Sequence, residues 1–380
     1  IQDSNTFELD TYSDAMKGIY SSSLRCGGKP DPAHWTSEGP RHIPNSSLGQ
    51  NGGWTNAVYG DPDDTSRMLL GTNTSGIFET TDSGEHWECI TDEMNYPVLG
   101  VNQIIPAPDD ENYLLATTGT LFINGGLIYS TDRGESWNKF AAETPFFNWI
   151  DYHPTAPGCL FGVTDEKVYF SNDYGQSWTN VGLPNNYNTA NVHTSNYKII
   201  TLDDHILFAT QADYVGPTEL FKADILISSG NLTINWVDNR LNENFKTSDE
   251  QIAFFDFSNK LSNKFYLQVL KADTSQGTNP ANHLYASYDN GASFQYLNQA
   301  NIVGGLSYST FNTNYGRVGK NELIASENDT SIVYWGSISP VRKSNVYTGN
   351  ATTINNQGGH HADYRSSYYL NYNGSDRLLF

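Results

Sequence analysis

The octapeptide STDRGESW, Ser130–Trp137, is polar, carries two acids and a glycine, and yet ends in a tryptophan. Its frame, Ser/Thr-x-Asp-x-Gly-x-x-aromatic, returns as TTDSGEHW at Thr80–Trp87, SNDYGQSW at Ser171–Trp178 and SYDNGASF at Ser287–Phe294. Four copies of one local pattern make internal repetition the first property to explain. With the closing aromatic of each copy as a ruler, the gaps are 50, 41 and 116 residues. The longest is twice 58, which predicts a worn copy near residue 236; there ISSGNLTINW, Ile227–Trp236, keeps the Ser, Gly and Trp but has lost the Asp. A period of about 40–60 residues is that of four-stranded propeller blades.

Each period has a similar internal grammar. In the first, WTNAVYGDP, RMLLGTN, SGIFETTD and HWECIT are four short β-type runs separated by turn residues. The second repeats it with VNQIIPAPDD, NYLLATTG, GLIYSTD and SWNKF, and the third with NWIDYHPTAPG, CLFGVTD, KVYFSND and SWTNV. Later units fit less closely, and a sixth around LIASENDTSIVYWGSI, Leu323–Ile338, has no box. The fold class expected is therefore all-β, a propeller of about seven four-stranded blades, the last incomplete.

The repeated residues have a physical reading as a clasp between the third and fourth strands of a blade. Asp82, Asp132, Asp173 and Asp289 can accept hydrogen bonds from N–H groups of their own turns. Gly84, Gly134, Gly175 and Gly291 supply a backbone with positive φ. Trp87, Trp137, Trp178 and Phe294 return into the layer between sheets, each burying about 150–250 Å². Residues repeated around a ring cannot all face one substrate, so these aspartates are expected to be structural.

Composition agrees and sets limits. Thirteen per cent aromatic residues, 33 glycines and only 17% charged residues favour strands and turns. The formal net charge of −21, from 21 Lys+Arg against 42 Asp+Glu, repels phosphate backbones and anionic lipid, so no nucleic-acid partner is expected. No apolar run approaches the roughly 20 residues of a membrane span, so no membrane insertion is expected either. Cys26, Cys89 and Cys159 leave at least one thiol unpaired, and their spacing is not that of a zinc site. No metal and no cofactor is expected.

These octapeptides are Asp boxes, and the chain resembles the Asp-box propeller superfamily of sialidases, xyloglucanase-type glycoside hydrolases and sortilin (VPS10)-type propellers. It is most similar to the sortilin-like propellers of large secreted Bacteroidetes proteins, many exported by the type IX system. WTSEGP at Trp35–Pro40, GTNTSGIFETTDSGEHWECITD at Gly71–Asp92 and GGHHADYRSSYYLNYNGSDRLLF at Gly358–Phe380 carry that resemblance. It implies a propeller over residues 34–380, residues 1–33 forming an N-terminal extension, and a secreted or cell-surface location. It also implies that the polypeptide continues beyond Phe380, because such a segment usually runs on into another box.

Sialidases grip a carboxylate with an arginine triad; the nine arginines here include only RHIP, Arg41–Pro44, near the family's Arg-Ile-Pro, and it is one residue too long. In xyloglucanase-type enzymes the base lies just before the first box, and the matching position is Asn73, whose amide cannot take up a proton. His360, His361, Asp363 and Arg365 form the candidate channel site, with His361, Asp363 and Arg365 on one strand face. His153, in YHPTAPG, reads as a loop residue. The function expected is a binding or scaffold module for a protein or glycan ligand, with secretion machinery as a further partner; the competing class is a glycoside hydrolase.

Overall fold

The computed structural model describes residues 43–45, 49–51, 55–92, 100–119, 125–164, 167–184, 196–211, 219–237, 250–261, 263–273, 281–297, 322–336, 342–353, 368–372 and 375–379, with Met94, Leu241 and Phe245. These residues form six four-stranded antiparallel sheets, each a meander in chain order. Blade 1 consists of Thr55–Gly60, Met68–Thr72, Ile77–Thr80 and Glu88–Cys89. Blade 2 follows with Val101–Ala107, Asp110–Thr118, Leu127–Ser130 and Asn138–Lys139. Blade 3 is Trp149–Tyr152, Leu160–Val163, Val168–Ser171 and Thr179–Gly182. Blade 4 is Asn196–Thr201, His205–Gln211, Glu219–Ser228 and Asn231–Trp236. Glu250–Phe257, Phe265–Asp273, Ala281–Ser287 and Gln295–Tyr296 make blade 5. Glu322–Ala325, Ile332–Gly336, Arg342–Asn345 and Ala351–Thr353 make blade 6.

The count corrects the sequence expectation: among the described residues there are six four-stranded blades, not about seven. A two-stranded hairpin, Tyr368–Tyr372 with Ser375–Leu379, follows them. It lies against the first strand of blade 1. On its other side Asp376 accepts hydrogen bonds from blade 6, from Ser326 Oγ (2.8 Å), Asn328 Nδ2 (2.8 Å) and Tyr334 OH (2.6 Å). The ring therefore passes from blade 6 to blade 1 through this hairpin. The N-terminal boundary at residue 34 lies outside the described residues, and no described helix is long and apolar enough to cross a membrane.

The core is a set of layers between blades, because each sheet has two apolar faces to cover and each neighbour covers one. Between blades 1 and 2, Leu69 and Ile77 meet Ile104, Leu114, Ile128 and Trp137. Trp178 of blade 3 packs on the cluster of Leu115, Leu127, Phe147 and Leu160 between blades 2 and 3. Trp236 does the same between blades 3 and 4, and Phe294 between blades 4 and 5. Trp137, Trp178, Trp236 and Phe294 thus each seal their own blade to the one before it.

Polar side chains of the inner strands join neighbouring blades where the sheets come closest. Gln103 of blade 2 accepts from Ile150 N–H (3.0 Å) and donates to Ile150 O (2.8 Å), bonding blade 3 as a strand would. Asn259 of blade 5 repeats this on Ala325 of blade 6, at 2.7 and 3.1 Å. Between blades 3 and 4, Asp151 Oδ2 accepts from Thr201 N–H at 2.6 Å. A primary amide offers one donor and one acceptor side by side, and so can stand in for a peptide group.

Candidate functional site

The clasps define one face of the ring. In blade 2, Ser130 Oγ donates to Asp132 Oδ1 (2.6 Å) and accepts the N–H groups of Asp132 (3.2 Å) and Gly134 (2.7 Å). Ser136 holds the other end of the turn, its N–H on Oδ1 (2.9 Å) and its hydroxyl on Oδ2 (2.5 Å). Trp137 Nε1–H closes on Gly134 O at 3.1 Å. Asp82, Asp173 and Asp289 accept the equivalent N–H at 2.9 Å in each case. Trp87 and Trp178 repeat the indole bond at 3.1 and 2.9 Å, whereas Phe294 has no N–H and packs edge-on against Phe245 and Phe265.

These bonds hold the carboxyls below the ordinary range. For Asp82 the His86 N–H leads, and for Asp289 the Ser293 hydroxyl does. Burial works against the charged forms of Asp132 and Asp173, but the serine and backbone donors outweigh it. Every one of these carboxylates is charged at neutral pH and satisfied within its own turn. His86 Nδ1, 2.6 Å from Asp82 Oδ2, takes the place that a serine hydroxyl holds in the other boxes.

One position in the clasp escaped the sequence reading. The residue between Asp and Gly is also left-handed, with φ of 64° at Ser83, 59° at Arg133 and Tyr174, and 54° at Asn290. Its N–H bonds the hairpin formed by the first two strands of its own blade, as Arg133 does on Asn112 O (2.9 Å) and Asn290 on Asn263 O (2.9 Å). Its side chain can cross to the blade before: Arg133 reaches Asp63 at 2.5 Å, and the Tyr174 hydroxyl donates to Asp109. Nothing in the octapeptide marks this role, since Ser, Arg, Tyr and Asn share no chemistry beyond tolerating the turn.

The worn copy is a different turn. Ser228 pairs with Asn231, so Ser229 and Gly230, at φ of 50° and 77°, form a two-residue hairpin loop. Blade 6 substitutes an Asx turn, in which Asn345 Oδ1 accepts the N–H groups of Tyr347 (3.0 Å) and Thr348 (2.9 Å).

The central channel is lined by the inner strands of all six blades, among them Asn56, Asn102, Trp149, Asp151, Lys198, Lys260 and Glu327, around a cavity of about 340 Å³. It opens on the box face into a mouth of about 610 Å³, walled by Pro106, Pro108, Tyr152, Pro154, Thr155, Asp203, Asn263 and Asn290. Where the two meet, Lys260 Nζ is held by Asp151 Oδ2 (3.2 Å), Tyr152 O (3.2 Å) and Thr201 O (2.8 Å). Three acceptors match the three donors of an ammonium. Asp151, an acid shared by the channel and the mouth, is thus neutralised by a lysine of blade 5, two blades on.

The sequence candidates fare unequally. Asn73 Oδ1 accepts from Asn56 Nδ2 at 3.1 Å, part of an amide chain that runs on to Asn102. His153 lies in the turn between the first two strands of blade 3, as expected, and is buried there: its Nδ1 accepts from Ala156 N–H (3.0 Å), and its Nε2 lies 3.0 Å from Asp203 O of blade 4. With Nδ1 accepting, Nε2 carries the proton, and burial keeps the ring neutral by lowering its pKa. His360, His361, Asp363 and Arg365 lie outside the described residues, as do Cys26 and the Arg41 end of RHIP. Cys89 and Cys159 are both free thiols.

Comparison with known proteins gives similarities to solved structures and to one family model. Among solved structures, the GH74 xyloglucanase of Xanthomonas campestris is similar at 13% identity and a TM-score of 0.44, over 85% of this chain and 56% of that one. An ancestral GH74 enzyme gives 11% identity and a TM-score of 0.49, over 88% of this chain and 44% of that one. YCF48 from Cyanidioschyzon merolae gives 13% identity and a TM-score of 0.42, over 84% and 88% respectively. The chain thus spans about half the length of the two GH74 enzymes. No curated protein matches its sequence. The family model described as sortilin, neurotensin receptor 3, matches residues 75–215. The described residues form a propeller of six four-stranded blades, and over residues 75–215, within blades 1 to 4, the chain is similar to the sortilin (Vps10) family.

Proposed function

We propose that this chain is a binding module of a secreted or cell-surface protein, and that its ligand, a protein segment or a glycan, is held at the channel mouth on the box face. The observation that carries the reading is the mouth itself: a concavity of about 610 Å³ to which blades 2, 3, 4 and 5 each contribute. Prolines and a tyrosine supply its apolar walls, and Thr155, Asp203, Asn263 and Asn290 supply polar groups. An apolar concavity with a few convergent polar groups is the usual form of a ligand site. Export by the type IX route, as part of a longer polypeptide, belongs to the same reading and rests on the resemblance of the Gly71–Asp92 and Gly358–Phe380 segments.

The glycoside-hydrolase alternative has less support. Its chemistry needs two carboxyls about 5–10 Å apart across a sugar. Asp151 is committed to Lys260 and Thr201, and Asn73 replaces the acid at the matching position. Screening the protein on peptide and glycan arrays, beside Thr155→Trp to fill the mouth, tests the proposal. Binding that Thr155→Trp abolishes supports it. Binding indifferent to Thr155→Trp, or release of reducing sugar from xyloglucan, overturns it.

A further inference from the structure

The repetition of the blade provides an internal control for every exposed side chain on the box face. The second position of the box plays no part in the clasp, and it is Thr81, Thr131 and Asn172 in three blades. In blade 5 it is Tyr288, a side chain 39% exposed. Beside it, the turn of blade 6 presents Tyr347, 54% exposed. The two hydroxyls lie 3.5 Å apart, so rings from adjacent blades meet at their tips. Folding of the clasp requires neither ring.

The pair is built on a buried support. Lys264 Nζ lies 4.8, 5.1 and 5.8 Å from the ring centroids of Tyr266, Tyr288 and Tyr347, and donates to Thr330 O at 2.7 Å. Lys264 is itself 7% exposed. Three tyrosines around one ammonium make an aromatic cage, but here the chain's own lysine fills it. A ligand cation is therefore not what the rings receive; what they offer is their outer surface. The pair adjoins the mouth through its backbone: Asn263 Nδ2 donates to Tyr288 O (2.8 Å), and Asn263 and Asn290, which follows Tyr288 by two residues, both line the mouth.

We propose that Tyr288 and Tyr347 form a ledge that docks a proline-rich, basic peptide segment running into the mouth. This names the ligand class for the mouth and rests on the reading given above. Proline rings pack on exposed tyrosines, and a polyproline II segment arrives already extended, so little ordering is lost on docking. The Asn290 amide, and the Asn263 N–H not given to Tyr288 O, are the donors offered to its free carbonyl groups. Asp203, Asp289 and Asp329 are exposed around the ledge and mouth, on a chain of net charge −21, and this field favours arginine or lysine flanking the prolines.

The test is fluorescence polarisation with a labelled decapeptide carrying two Pro-x-x-Pro repeats between arginines, an otherwise identical peptide flanked by glutamates, and cellohexaose as unlabelled saccharide. Saturable binding of the basic peptide is expected, weakened about tenfold by Tyr288→Thr, the residue found in boxes 1 and 2, and similarly by Tyr347→Thr. Tyr288→Phe should stay within about threefold of the parent, because stacking needs the ring and not the hydroxyl. The glutamate-flanked peptide should bind at least tenfold less well. No binding of the basic peptide, its replacement by cellohexaose, or indifference to Tyr288→Thr overturns the proposal. Thr155→Trp separates the two readings. Loss of binding in Thr155→Trp with none in Tyr288→Thr leaves the mouth standing and removes the ledge; array binding that Thr155→Trp leaves untouched removes the mouth.

Discussion

At the scale of single residues, the clasp is a hydrogen-bond device whose parts are separable. Ser130 Oγ serves three partners at once, so Ser130→Ala leaves Gly134 N–H and one carboxylate lone pair without a bond inside the turn. The expected cost is about 1–3 kcal/mol, read as a lower midpoint in urea unfolding. Gly134→Ala should cost more than Gly182→Ala, although both sit at positive φ, 87° and 80°. A Cβ at Gly134 would lie 2.6 Å from Leu69 Cδ1, whereas at Gly182 it would meet nothing within 4 Å. Paired thermal melts of the two variants isolate that packing difference from the shared backbone strain.

Titration is also set residue by residue. His205 is buried, bonded through Nδ1 to Asp204 at 2.6 Å, and its Nε2 faces Gly291 of the next blade without a partner. Burial lowers its pKa more than Asp204 raises it, and burial likewise lowers that of His153. Below the unfolded value of about 6.5 the unfolded chain takes up protons that the folded chain refuses, so stability falls as pH drops through that region. The box carboxylates act lower. Their folded pKa values are depressed, so their contribution is complete above the unfolded value of about 3.9 and is lost as pH falls further. Denaturant midpoints against pH should therefore decline in two stages. His205→Gln should reduce the upper stage and leave the lower one; an unchanged upper stage would count against His205.

At the scale of elements, the inner strands bond to one another through side chains as well as by packing. Gln103 satisfies both backbone groups of Ile150, which is fully buried. Gln103→Leu preserves bulk and removes both bonds, so about 2–4 kcal/mol of destabilisation is expected. Hydrogen exchange should localise the effect to Trp149–Tyr152, with blade 5 unchanged. The sequence announced the four strands of each early blade because their runs alternate between turn residues. It did not announce the staples, since Gln103, Asp151 and Asn259 share neither a motif nor a neighbourhood. The burial of His153 was hidden for the same reason: the group it meets, Asp203 O, is 50 residues away.

At the scale of the whole molecule, the hairpin Tyr368–Tyr372 with Ser375–Leu379 joins blade 6 to blade 1. Asp376 takes three hydrogen bonds from blade 6, while the hairpin rests on blade 1. Asp376→Ala should raise the exchange rate of Tyr368–Leu379 and of the first strand of blade 1, with blades 3 and 4 unaffected. Uniform acceleration throughout the ring would mean that closure is cooperative with the entire fold.

The sequence by itself determined the blade and its clasp, because the Asp box is local: Ser130, Asp132, Gly134 and Trp137 meet within one turn, and their order suffices. It also placed the closing aromatics at sheet interfaces, since a tryptophan after a polar turn has nowhere else apolar to go. Only the tertiary structure decided the number of blades, the commitment of Asp151 to Lys260, and the meeting of Tyr288 with Tyr347. Each of these joins residues from different blades, whose separations along the chain run from 59 to 109 residues for the two side-chain contacts. Such contacts are fixed by how sheets stack around an axis, and stacking depends on the shapes of whole layers rather than on any stretch of sequence.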